Sequence, residues 1–348
     1  MSDTQIDIPS KSAVRKAGDI LKSSNPEPAA YDAAAGVLSQ WRSLHSYPIN
    51  TFQAYLRNRI KRDGYRSAII AQRLKRMPSI ITKLQRFSNM QLDRMQDIGG
   101  LRVVVDKISD VYRLYESILS SRRFAHRPEL PPKDYIKSPK SDGYRSLHQV
   151  FKYANKSHPE LSGLRIELQI RTKLQHSWAT AVETLGMIEK SSFKTGEGDE
   201  KFKTFFKLSS ALFALQEETP VIDEYASEPS EELVMLLNLL ESELQVCSKL
   251  ESLALSAKHI ETASKRTDGY HLMELNVEKD TISLIAFSKN QLQDAENLYR
   301  IKEIASKDDP NISVVLISAG NVANIKKAYP NYFLDTASFI KSLNAIRL

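Results

Sequence analysis

LRIELQIRT (164–172) alternates Leu164, Ile166, Leu168 and Ile170 with Arg165, Glu167, Gln169 and Arg171. A period of two sends one set of side chains into a core and the other to the opposite face of a sheet. The stretch therefore reads as a half-buried strand whose polar side brings Glu167, Gln169 and Arg171 into one row, a row that can floor a site. Upstream, SLHQVFKYA (146–154) reads as a second strand, and LRVVVD (101–106), bounded by Gly99 and Gly100, as a short buried one. Between them, Ile108 to Ser121 places Val111, Leu114, Tyr115, Ile118 and Leu119 on one helical face, while Pro128 to Gly143 reads as loop.

Further out the pattern changes. Residues 1–28 are polar, carry Pro26 and Pro28, and read as loosely ordered. Ala29 to Asn58 is helical in pattern, and Gln53 to Phe87 continues helical but basic, broken near Gly64 and Pro78. Past Lys173 the pattern is helical to about Leu185, followed by a polar link, SSFKTGEGDE (191–200), and more helix. Leu233, Leu236, Leu240, Leu244 and Cys247 recur at helical spacing and read as a bundle seam. After Arg266, HLMELNV (271–277) and TISLIAFS (281–288) flank Glu278–Asp280 as a hairpin. A helix over 289–306, the strand ISVVLIS (312–318), and helices near 321–328 and 335–345 complete a small α/β module. The expected organisation is an N-terminal segment (1–28), a main domain (29–190), a helical region (191–265) and the module (266–348).

The chain has 348 residues, 41% hydrophobic and 26% charged, which is ordinary globular composition. One cysteine, Cys247, excludes an internal disulfide framework and a cysteine-based zinc site. No run approaches the roughly 18 apolar residues of a membrane span, so the expectation is a cytoplasmic protein without a membrane partner. Net charge is 49 − 42 = +7, unevenly placed. Arg57 to Arg86 holds ten Lys/Arg and one acid, Asp63, whereas Glu217 to Glu243 holds nine acids and no Lys/Arg. The basic stretch suits a polyphosphate or a nucleic acid, and composition does not choose between them.

Four segments carry chemistry. In RLKRMPSIITK (73–83), Arg73, Lys75, Arg76, Ser79 and Lys83 can surround a chain of phosphates, or can simply be a solvated basic face. In DIGGLR (97–102), an acid precedes a tight glycine turn, a position that suits a metal ligand or a turn cap. KDYIKSPKSDGYRSLH (133–148) concentrates Lys, Tyr, Arg, Ser and His around Pro139 and Gly143. An aromatic in such a loop offers a stacking face to a base. In the fourth segment, ELQIRT (167–172), Glu167 could join Asp97 on Mg²⁺, which prefers oxygen ligands, or pair with an arginine.

In this order, the four segments resemble the RelA/SpoT family of alarmone synthetases, over roughly residues 50–190. DYIKSPKSDGYRSLH and ELQIRT are the specific parts. The resemblance implies an α+β fold in which a nucleotidyltransferase-like mixed sheet is flanked by helices. It also implies transfer of the β,γ-pyrophosphate of ATP to the 3′-hydroxyl of GDP or GTP, giving (p)ppGpp and AMP. Arg73 and Arg102 would contact the adenine, with Lys75, Ser79 and Lys83 near the phosphates. Asp97 and Glu167 would hold Mg²⁺, and Glu167 would accept the proton of the attacking hydroxyl. Tyr144 would stack on the acceptor base, Lys133, Lys140 and His148 would steady its phosphates, and Gln169 and Arg171 would complete the floor. Gly99 and Asp142 stand where the family usually shows Ala and Asn. No His-Asp pair of the family's hydrolase domain occurs, so product hydrolysis is not expected. Toxin-like relatives that modify the 3′ end of tRNA, and a non-catalytic nucleotide sensor, are the alternative readings. Oligomers are common among such enzymes, but no residue fixes a number.

Overall fold

The computed structural model describes residues 8–122, 124–188, 200–244, 246–247, 250, 269–276, 279, 281–288, 290–306, 312–319 and 336–347. The chain divides into two compact units. The first comprises residues 1–103, 112–133 and 148–170, and the second 104–111, 134–147 and 171–348.

The first unit is built on a five-stranded mixed sheet flanked by helices. Its strands are β1 (Ile69–Leu74), β2 (Gly99–Val105), β3 (Arg127–Asp134), β4 (Leu147–Lys152) and β5 (Arg165–Thr172), in spatial order β1-β2-β5-β4-β3. β2 and β5 lie inside the sheet; β5 carries the alternation expected as far as Gln169, and β2 is the short buried strand expected, with Val103, Val104 and Val105 all buried. Leu101, Val103, Ile166 and Leu168 are buried, while Gly100, Arg102, Glu167 and Gln169 are half-buried. A Cβ on Gly99 would meet Ile166 Cδ1 at 3.0 Å and Ile49 Cδ1 at 3.1 Å. Gly99 therefore faces the aliphatic side, and Gly100 and Glu167 the other.

Three expectations are corrected in this unit. The stretch read as basic helix broken near Gly64 and Pro78 contains β1 between those two breaks: IIAQRL is short and ends in Arg73 and Leu74, and as an edge strand it needs no long apolar run. The segment read as loop from Pro128 contains β3. Its three prolines sit at the other edge of the sheet, where a missing N–H is tolerated. The N-terminal segment read as loosely ordered contains α1 (Lys11–Leu21), capped by Ser10, whose Oγ accepts from Ala13 N at 3.1 Å. Val14, Ala17 and Leu21 recur on one face and pack with Leu38 and Trp41 of α2 (Pro28–Ser43) and with Ile80, Leu84 and Leu92. α3 (Ser46–Arg62) and α4 (Met77–Arg86) bracket β1, and α5 (Ile108–Leu119) follows β2.

The second unit holds a helical cluster of α6 (Lys173–Ile188), α7 (Glu200–Gln216), α8 (Ser230–Leu244) and the last helix, here α10 (Ala337–Arg347). Trp178, Phe205, Phe206, Phe213, Leu233, Leu237, Phe339, Ile340 and Leu343 form its core. The seam on α8 is corrected by one residue. Leu237 is buried and Leu236 is 42% exposed, so the stripe runs Leu233, Leu237, Leu240, Leu244, Cys247 with 4-3-4-3 spacing. Also in this unit, β6 (Gly269–Asn276) pairs antiparallel with β7 (Thr281–Phe287), with Leu272 opposite Ile285. It pairs equally with β8 (Ile312–Ala319), giving the order β7-β6-β8. α9 (Leu292–Ala305) covers one face through Ala295 and Tyr299. The helix expected near 321–328 lies outside the described residues.

Candidate active site

Asp97 lies two residues ahead of β2, where Lys75 N, just past β1, bonds to Ile98 O at 2.8 Å. That bond ties the end of one strand to the approach of its neighbour. It brings Lys75 Nζ to 3.1 Å from Asp97 Oδ2, and α4 supplies Lys83 Nζ at 2.8 Å from the same oxygen. Arg42 of α2 backs this corner, its Nε donating to Lys75 O at 2.7 Å. The other oxygen, Asp97 Oδ1, is buried and accepts no hydrogen bond from the described residues. Burial alone would raise the Asp97 pKa, but Lys75 and Lys83 outweigh it and hold the carboxyl below its usual value. Burial lowers that of Lys75, helped by Arg73 and Lys83 and opposed by Asp97.

On β5, Glu167 Oε1 bonds to His148 Nδ1 of β4 at 3.0 Å, and Oε2 accepts from Gln169 Nε2 at 2.8 Å. Burial pushes this carboxyl up, yet His148, Gln169 and Lys83 bring it down to about 2. It is a carboxylate throughout the neutral range. The negative charge on Glu167 in turn acts to raise the Asp97 pKa, so two carboxylates interact across this corner. Their chemistry suits a hard dication: Mg²⁺ commonly takes one or two carboxylates and completes its shell with waters and substrate phosphates. No group of three or more His, Cys, Asp or Glu among the described residues could hold a metal alone. A two-carboxylate site is what the residues fit.

Arg73 on β1 and Arg102 on β2 are half-buried on neighbouring strands, Ser79 is on α4 one turn before Lys83, and Lys133 is exposed at the end of β3. The first unit thus holds two contact groups, Lys75 and Lys83 on Asp97 and His148 and Gln169 on Glu167, which act on each other through charge. Lys140, Tyr144 and Arg171 belong to the second unit. There, Tyr135 and Tyr144 meet edge to face with ring centres 6.1 Å apart. Lys140 Nζ lies 4.6 Å and 5.0 Å from their centres. The polar row expected on β5 stops at Gln169. Arg171 is 1% exposed and hydrogen-bonds to His176, so it supports the start of α6 rather than offering an open guanidinium. The pairing of His148 with Glu167 was missed by the sequence reading, because its signal is only the adjacency of β4 and β5.

Residues 72–196 match the family model described as the region found in RelA/SpoT proteins. The GTP pyrophosphokinase of Escherichia coli strain K12 is 29% identical over 171 residues, covering 49% of this chain and 21% of that protein. The GTP pyrophosphokinase YjbM of Bacillus subtilis is 31% identical over 118 residues, covering 33% of this chain and 54% of that one. A solved structure of small alarmone synthetase 1 from Bacillus subtilis, bound to its product pppGpp, aligns at 25% identity with a TM-score of 0.43, covering 52% of this chain and 94% of that chain. This chain therefore spans only about a fifth of the length of the Escherichia coli relative. It carries, over residues 72–196, the region found in RelA/SpoT proteins.

Proposed function

We propose that this chain is a pyrophosphokinase that transfers the β,γ-diphosphate of ATP to the 3′-hydroxyl of GDP or GTP. The observation that carries the reading is the state of Asp97: one oxygen is clamped by two lysines, the other is buried without a hydrogen bond from the described residues, and the charge of Glu167 acts on it. A bare buried carboxylate oxygen is costly unless a ligand completes it. Lysines that would collapse onto a polyphosphate already stand there.

In the reaction, the acceptor's 3′-oxygen bonds to the β-phosphorus of ATP as the bond to the α-phosphate oxygen breaks, and AMP leaves with that electron pair. Lys75 and Lys83 oppose the charge of the phosphate chain, Ser79 offers a hydroxyl beside them, and Arg73 and Arg102 hold the adenosine end. When bound by Asp97 and Glu167, Mg²⁺ supplies charge neutralisation at the transferring group. Glu167 takes the hydroxyl proton. Its pKa of about 2 makes it a weak base, which suffices where the proton leaves late, after the oxygen has begun to bond to phosphorus, as the loose transition states of phosphoryl transfer allow. His148 and Gln169 fix its two oxygens in place. The acceptor base stacks on Tyr144, with Lys140 and Lys133 near its phosphates.

The test is label transfer from γ-³²P-ATP with Mg²⁺, offering GDP, GTP and deacylated tRNA in parallel. Label on a guanine nucleotide, lost in Glu167→Gln, is expected. Label on tRNA alone would replace the acceptor, and no label on any of them would overturn the enzymatic reading.

A further inference from the structure

The loop that the proposed function assigns to the acceptor, residues 133–148, is fastened to a helix that lies beyond the family match, which ends at residue 196. Ser210, in the middle of α7, donates from Oγ to Gly143 O at 2.6 Å. Gly143 has φ +89, and a Cβ there would stand 2.8 Å from Ser210 Cβ and 3.2 Å from Trp178. Two residues on, Arg145 is 3% exposed and points to the end of the same helix. Its Nη1 donates to Thr219 Oγ1 at 2.9 Å and lies 3.5 Å from Glu217 Oε2. Glu217 is itself held twice more, by Gln175 Nε2 at 2.9 Å and by the Thr172 hydroxyl. Between Glu217 and Thr219 the chain turns through Glu218, a non-glycine residue at φ +53. That left-handed conformation is normally avoided by residues with a Cβ.

From these contacts we infer that Glu217 and Thr219 are positioning residues: through Arg145 they set the loop that carries Tyr144 and Lys140, and so govern acceptor affinity without touching the acceptor. The inference rests on the assignment of that loop to the acceptor. A charge buried opposite a single carboxylate has few alternative arrangements, so the loop's backbone at Arg145 is fixed by where α7 ends. Tyr144 is the next residue, and it also packs against the α6–α7 core. An element outside the family region thereby sets the geometry of a family motif.

The experiment is calorimetric titration of the full chain with GDP and, separately, with the ATP analogue α,β-methylene-ATP. The variants are Glu217→Gln, Thr219→Val and, as a control, Tyr144→Ala, each checked for a cooperative thermal transition. Expected are GDP dissociation constants raised about tenfold in Glu217→Gln and about threefold in Thr219→Val, the scale of a lost hydrogen bond to a charged group. The ATP analogue should bind within about twofold of the parent, since a positioning role is selective. Should Glu217→Gln fail to fold, Thr219→Val, which keeps the ion pair, decides alone. GDP affinity unchanged in the folded variants but weakened in Tyr144→Ala would overturn the positioning role and leave the loop assignment standing. Equal weakening of both ligands would reduce Glu217 to a stability residue. GDP affinity unchanged in Tyr144→Ala would remove the loop assignment, and this inference with it.

Discussion

At the scale of single residues, Asp97 is the hinge of the electrostatics. Replacing it with Asn leaves Lys75 and Lys83 facing each other without their shared counter-charge, and Lys75 is the more buried of the two, at 15% side-chain exposure against 29%. Asp97→Asn is expected to lower stability by about 2 kcal/mol, below the 3–5 kcal/mol typical of a fully buried broken pair because these groups retain some solvent. Adding Lys75→Met should restore part of that loss, and urea unfolding of the four proteins of the double-mutant cycle measures it. Activity should fall by about a thousandfold or more in either background, since a charge aimed at the transferring group is worth several kcal/mol. His148 offers a second test. It is the main group that brings Glu167 down to about 2. In His148→Asn the carboxyl should titrate at higher pH, so the acid limb of kcat/KM moves up relative to the parent. An unmoved limb would show that Glu167 protonation does not control the rate.

At the scale of elements, the acceptor loop and its latch are the sensitive pieces. Gly143→Ala demands a left-handed conformation of a residue with a Cβ and drives that Cβ against Ser210. A cost of about 2–3 kcal/mol is expected from strain plus overpacking. Adding Ser210→Gly should recover only the collision, which thermal unfolding can resolve. α10 makes a similar argument for the helical cluster. Phe339, fully buried, meets Phe206 and Phe213 with ring centres 6.0 Å and 5.8 Å away, so Phe339→Ala should cost about 3–4 kcal/mol. These elements differ in how openly the sequence announces them. β5 was legible because a strand that buries one face must alternate, and Glu167 and Gln169 were placed by that alternation, whereas β2 was legible as a β-branched run, buried at Val103, Val104 and Val105. β1 and β3 were hidden because edge strands bury less and tolerate charge and proline. Arg171 broke the period where β5 runs into α6. The Arg145–Glu217 pair had no local signal, since 72 positions separate partners that only the tertiary fold brings together.

For the whole molecule, the pH range of stability follows from which groups are held away from their ordinary values. Asp97 and Glu167 are both depressed, so the stability they add is present above about pH 4.5, the ordinary carboxyl range, and is lost as pH falls through their folded values, near pH 2 for Glu167. His45 acts earlier. It is 1% exposed, its Nδ1 donates to Trp41 O at 2.9 Å, and burial, with a smaller contribution from Arg42, lowers its pKa from 6.5 to about 4. The folded state therefore keeps this imidazole neutral where the unfolded chain already protonates it. Between those two values the unfolded state binds the extra proton, so stability declines as pH drops, beginning near 6.5. Linkage gives a loss of about 2 kcal/mol at pH 5 relative to pH 8, before the carboxylates contribute. Urea unfolding at pH 8 and pH 5, followed by tryptophan fluorescence with Trp41 next to the ring, should show that difference in the parent. In His45→Gln, whose amide can still donate to Trp41 O but does not titrate, the difference should shrink to a fraction of it even if the variant is less stable at both values. An equal pH dependence in the two proteins would move the effect to other groups, with His126, also lowered by burial, the first to replace.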